Sequence, residues 1–221
     1  MLNGRVAVPD ARAASLFWDG NAIGLWDVLE NWSLLSGATT PDATAKPGIA
    51  DDVQFNISTV NGNESVYLNG DGSARSLIFS NSGSTTLLGG TDLAAAANQL
   101  SVGAGGITAA VGAGAVRLGD LSGAAAVQLV LSASQTWSIN NSSVFLVANG
   151  VSGNAGAGQV TTLSVGSNNL GSDARINGAV ADGGAGGKLA LEKAGDGILR
   201  LDGSNTFTGG MRILGGALVV K

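Results

Sequence analysis

The sequence predicts an all-β protein of many short strands, arranged as a β-solenoid of stacked rungs. Three observations carry that prediction. Short segments of alternating apolar and polar residues recur from Asp51 onward, punctuated by glycine and asparagine. Small residues (Ala, Gly, Ser, Val) fill many inward positions of the alternation, as a narrow stacked core requires. Composition is rich in turn formers yet poor in charge, with 36 glycines, three prolines, 44% hydrophobic and 12% charged residues. A soluble domain carries roughly 25% charged residues. Low charge with this much apolar content excludes ordinary disorder, and glycine without a G-X-Y period excludes collagen. A β-sandwich is the alternative within the same class.

Residues 1–50 differ from the rest and are expected to form an irregular N-terminal cap segment. They hold Trp18, Trp26 and Trp32 and all three prolines, Pro9, Pro41 and Pro47. WDVLENWS within them has room for one irregular helical turn. Residues 51–221 are expected to form the rungs. VQFNIS, SVYLNG, ARSLIFSNSG, TTLLGG, NQLSVG, GGITAAVG and AVRLGD follow one another as short strands. The longest segment, VQLVLSASQTWSI, reads as one strand with Val127, Leu129, Leu131, Ala133, Trp137 and Ile139 on its buried side. SSVFLVANG, QVTTLSVG, ARINGAV, KLALEKAG, GILRLDG and MRILGGALVV complete the series. Asparagines at the turns (Asn61, Asn81, Asn140, Asn141, Asn168, Asn169, Asn205) suit both left-handed backbone and side-chain ladders. Rungs of roughly 20–25 residues give about eight to ten turns of the solenoid.

Several function classes fall away. Histidine and cysteine are absent, which removes disulfides, thiolate metal sites, the commonest general base and every Ser/His or Cys/His nucleophile pair. The net charge of −5 comes without a basic cluster, so no nucleic-acid footprint is visible. No apolar stretch approaches the ~20 residues that span a bilayer. The opening MLNGRVAVPDARAAS lacks the apolar run of a signal peptide. A removed leader and a piece of a longer chain are both compatible with it.

The segment LEKAGDGILRLDGSNTFTGGMRILGGALVV resembles the autotransporter-associated β-strand repeat, residues 191–220. Leu191, Lys193, Gly195, Gly197, Leu199, Leu201, Gly203, Asn205, Thr206, Phe207, Thr208, Gly209, Gly210, Ile213, Gly216 and Leu218 fall on the family pattern, with Met211 where threonine is usual. FWDG, NWS, DDVQFN, SLIFSNSG, GGIT and SASQTW are similar to segments of long secreted bacterial proteins carrying that repeat. The resemblance implies a secreted, right-handed parallel β-helix. One clear copy and no β-barrel translocator in this sequence argue against a complete autotransporter.

Candidate chemistry is sparse. Asp51 and Asp52 are adjacent, so on a strand they point to opposite faces and form no dyad alone. Asp71, Asp92, Asp120, Asp182 and Asp196 could pair across rungs in a polysaccharide-cleaving enzyme, but their glycine-rich contexts read as turns. GGAGGKLAL mimics a calcium repeat with Lys188 in the carboxylate position, which disqualifies it. Neither metal nor cofactor is expected. The expected function is a non-enzymatic extracellular structural protein, a surface adhesin module or a head-to-tail fibre subunit. Its partners would be itself or cell-surface components. Trp18, Trp26 and Trp32 at one end and Leu218, Val219 and Val220 at the other are the candidate contact residues. A carbohydrate-binding module that uses the tryptophans is the alternative.

Overall fold

The computed structural model describes residues 13–37, 40, 42–56, 62–168 and 173–221. Asn61 and Asn169, expected at turns, lie outside them. Strands dominate, with one 3₁₀ turn at Leu29–Asn31, inside the stretch expected to turn helically.

Among the described residues, twenty strands, β1–β20 in chain order, make two long sheets. The first face runs from β1 (Ser15–Trp18) through β4 (Asp52–Phe55), β6 (Gly72–Phe79), β8 (Asn98–Ala109), β11 (Gln135–Ile139), β14 (Val160–Ser167) and β17 (Lys188–Ala194) to β19 (Met211–Ile213). The second face runs from β2 (Ile23–Leu25) through β5 (Glu64–Tyr67), β7 (Thr85–Leu88), β9 (Val116–Leu118), β12 (Phe145–Val147), β15 (Ala174–Ile176) and β18 (Ile198–Leu201) to β20 (Ala217–Val220). A shorter third face joins the first parts of β6 and β8 to β10 (Val127–Leu131), β13 (Gly150–Gly153) and β16 (Ala179–Ala181). All of these ladders are parallel. The exception is β3 (Trp32–Ser33), which pairs antiparallel with β1 at the N-terminal end.

Parallel pairing of each strand with one a rung later in sequence is the pattern of a β-solenoid. Partners on the first face lie 24 residues apart from Phe55 to Phe79, 30 from Phe79 to Ala109 and 28 from Ile139 to Ser167. Most rungs are therefore longer than expected, because loops such as Thr91–Ala97 leave the sheets between strands. The stacked rungs also start before residue 51, since β1 and β2 pair in parallel with β4 and β5.

Alternation places the core. Val53, Phe55, Leu77, Phe79, Ile107, Trp137, Ile139, Leu163 and Val165 are buried on the first face, and Val66, Leu87, Leu118, Val147, Ile176 and Leu201 on the second. These form one continuous cluster along the solenoid. VQLVLSASQTWSI is two strands, not one. A corner at Ser132–Ser134 separates β10 from β11, yet the alternation keeps its phase across it. Periodicity alone therefore reads straight through the bend. Conversely, NQLSVG and GGITA are one twelve-residue strand, β8, bent at its glycines. At that bend a side chain on Gly106 would meet the Thr136 carbonyl oxygen at 2.1 Å, and its φ is +68°.

Of the two roles expected of the turn asparagines, cross-rung side-chain bonds are seen and left-handed backbone is rare. Asn69 is the one described non-glycine residue with positive φ. The others act through their side chains. Asn168 Nδ2 donates to Asn140 Oδ1 at 2.8 Å, and Asn141 Nδ2 to the Gly114 carbonyl at 2.9 Å. Asn149 accepts from the amides of Asp120 and Val127 and donates to the Asp120 carbonyl. Each bond ties one rung to the next.

Candidate functional site

The two ends of the solenoid hold the candidate contact residues and are built in opposite ways. At the N-terminal end Trp18, Trp26 and Trp32 are 0%, 2% and 0% exposed. Trp32 lies between the other two, its ring 5.1 Å from each in edge-on geometry. Its indole N–H donates to the Trp26 carbonyl at 2.8 Å, and Trp18 and Trp32 both approach Phe55, which stacks on Phe79. Close approach is locked by small residues, since a side chain on Gly20 would meet the Trp18 ring at 2.5 Å. These indoles are core, and none has a ring face open for stacking on a sugar.

At the other end the register continues but the cover stops. Met211 and Ile213 pair with Leu191 and Lys193, and Leu218 and Val220 pair with Leu199 and Leu201. They occupy the positions that are core one rung earlier. Yet Met211, Ile213 and Val220 are 51%, 54% and 52% exposed, and Leu218 is half-buried. Val219 pairs with the outward Arg200 and so belongs to the outer surface.

LDGSNTFTGG leads from the end of β18 to β19, and its residues 202–210 cross the third face without making a strand. Asn205 Oδ1 accepts from the Val180 amide at 3.0 Å, and Nδ2 donates to the Gly203 carbonyl at 2.8 Å. Asp182 holds the amide and hydroxyl of Thr208 and the amide of Leu189. Those donors keep its carboxyl below the usual range. Gly209 is required by contact, because a side chain there would reach the Leu189 carbonyl at 2.4 Å. Phe207 packs against the core edge.

Asp51, Asp52, Asp71 and Asp120 are structural in the same way. Asp51 accepts from the amides of Ala14 and Gly48, and Asp71 from that of Gln99. Asp120 binds Ser122, and Asp52 pairs with Arg75 and Ser76. Lys188 opens β17 and is exposed. Among the described residues no three of Asp and Glu gather as a metal site would need.

The burial of two ionisable groups, Glu64 and Lys193, is not anticipated by the sequence analysis, which places Lys193 only as a position of the repeat. Glu64 opens β5 facing inward, where it accepts from the Thr85 hydroxyl at 3.2 Å, and burial pushes its carboxyl up to about 7. Lys193 is fully buried, and its ammonium is pushed below the ordinary lysine value by desolvation, with nearby Asp196 opposing. Parity was the available signal. Lys193 sits between Leu191 and Gly195 in phase with the core positions.

Residues 191–220 match the family model of the passenger-associated-transport-repeat. No curated protein and no solved structure matches the chain. Among the described residues no helix is long and apolar enough to cross a membrane.

Proposed function

We propose that this chain is a structural module of a secreted or cell-surface protein, a right-handed parallel β-solenoid without catalytic activity. In this reading the tryptophan cluster caps the N-terminal end and the rung of residues 211–220 docks another β rung. The observation that carries it is the passenger-associated repeat at residues 191–220, built into the parallel ladders of the solenoid. Met211, Ile213 and Val220 extend core positions but stand about half exposed, beside two strands with one ladder partner each. Free parallel edges with apolar side chains recruit further strands.

The match at residues 191–220 to a passenger-associated repeat supports the extracellular assignment. A head-to-tail fibre needs the first rung of the next copy as partner. There β3 folds back antiparallel on β1 and indoles fill the core, which suits a cap better than a parallel template. The reading therefore favours a further β rung, of this chain or another, as the partner of the 211–220 edge. Burial of the tryptophans likewise weighs against the carbohydrate-binding alternative.

Protease shaving of intact cells that express the protein tests its placement. Release of its peptides without lysis is the expected result. Peptides that appear only after lysis contradict the reading.

A further inference from the structure

Lys193 stands in a column of core residues. Across the rungs that column reads Leu77, Ile107, Trp137, Val165, Lys193 and Ile213. A fully buried ammonium among aliphatic and aromatic side chains is costly unless its three donors are used. It finds backbone carbonyls. Two belong to its own turn, Ala194 and Gly195 (2.9 Å), and one to the next rung, Gly215 at 3.4 Å.

Glycines make that third contact possible. The turns at 194–197 and 214–216 nest backbone on backbone. A side chain on Gly215 would lie 3.2 Å from the Gly195 carbonyl oxygen, and one on Gly216 only 2.2 Å from that of Gly197. Gly195 and Gly216 also hold φ of +70° and +66°, a region costly for other residues. The lysine and the glycines thus act as one unit.

We propose that Lys193 is a register key, an ammonium site that binds the glycine turn of the following rung and admits that rung in one alignment. A slip of one residue withdraws the Gly215 carbonyl from the third donor and turns Ile213 to the opposite face. The assignment is independent of what covers the outer side of the last rung.

Amine acylation and amide exchange on the whole chain test it. In the wild type, Lys193 acylates at least about 100-fold more slowly than exposed Lys188, because reaction waits for local opening. That slow rate follows exchange of the Leu214 and Ala217 amides, which bond to the carbonyls of Lys193 and Gly197. In Lys193→Met, those two amides exchange at least about tenfold faster, while the Asn168 and Asn177 amides of earlier rungs keep their rates. Acylation of Lys193 as fast as Lys188 overturns the proposal. So does a Met variant in which Leu214 and Ala217 are unchanged or slower, or all four amides shift together. If the variant fails to fold, the wild-type acylation rate decides alone.

Discussion

The N-terminal tryptophan cluster and the C-terminal rung use the same register to opposite ends. Trp18, Trp26 and Trp32 are buried, with β3 antiparallel beside β1 on the first face, while β2 ends the second face with one ladder partner. Met211, Ile213 and Val220 lie in phase with the core and remain about half exposed. In a solenoid each rung is stabilised only by its neighbours, so an end must either bring its own cover or borrow one. Large aromatics fill the core at one end, whereas at the other Met211, Ile213 and Val220 carry the core register outward with half their surface exposed.

The largest expected effect breaks the closed end. Trp32→Ala removes the central indole and its hydrogen bond to Trp26, and should cost about 3–5 kcal/mol in urea unfolding. Ile213→Ala at the open end should cost under about 1 kcal/mol, since half its surface already meets water. Equal losses would erase the distinction between the ends.

Glu64 sharpens the comparison from inside the early rungs. Its folded value of about 7 lies above the ordinary 4.5, so the folded state keeps a proton that the unfolded chain gives up. Its contribution is therefore fully present below pH 4.5 and is lost as pH rises through about 7. The shift corresponds to at most about 3 kcal/mol. Glu64→Gln should flatten that slope and raise stability at pH 8 by about 1–3 kcal/mol, read by denaturation at several pH values. An unchanged slope would mean the carboxyl reaches water.

Between the ends, Asn149→Ala should cost about 1–3 kcal/mol, because it leaves the Asp120 and Val127 amides without their acceptor. The smallest effect belongs to Arg212→Ala. Its pair with Glu192, at 3.4 Å, sits on an arginine side chain 74% exposed, so the loss should be below about 0.5 kcal/mol. A larger loss would show that the last rung is better ordered than its exposure implies.

Strand texture and the repeat at residues 191–220 were legible because alternation and a spaced glycine pattern survive in one dimension. The corner inside residues 127–139 was not, since Leu131 and Gln135 share parity and a bend of three residues leaves the count intact. Gln135 was passed over for the same reason that makes it useful. Its amide donates to the Val102 carbonyl and its oxygen accepts from the Trp137 indole, which satisfies a polar group inside the core. The tryptophans were visible as a cluster, but burial or exposure of a ring depends on Gly20, Phe55 and a returning strand. Of these Phe55 is remote in sequence, and the return of Trp32 onto Trp18 carries no periodic signal. Lys193 was hidden by its charge, which suggests surface until the carbonyls of two glycine turns are placed around it.

The most direct test of the account is sedimentation velocity of the 221-residue chain over a concentration series, beside Ile213→Lys. A one-edge contact is two-fold and closes at a dimer, so the account predicts a concentration-dependent dimer that the lysine variant abolishes. A wild-type chain that stays monomeric throughout would contradict the docking edge, and open-ended filaments would contradict the proposed N-terminal cap.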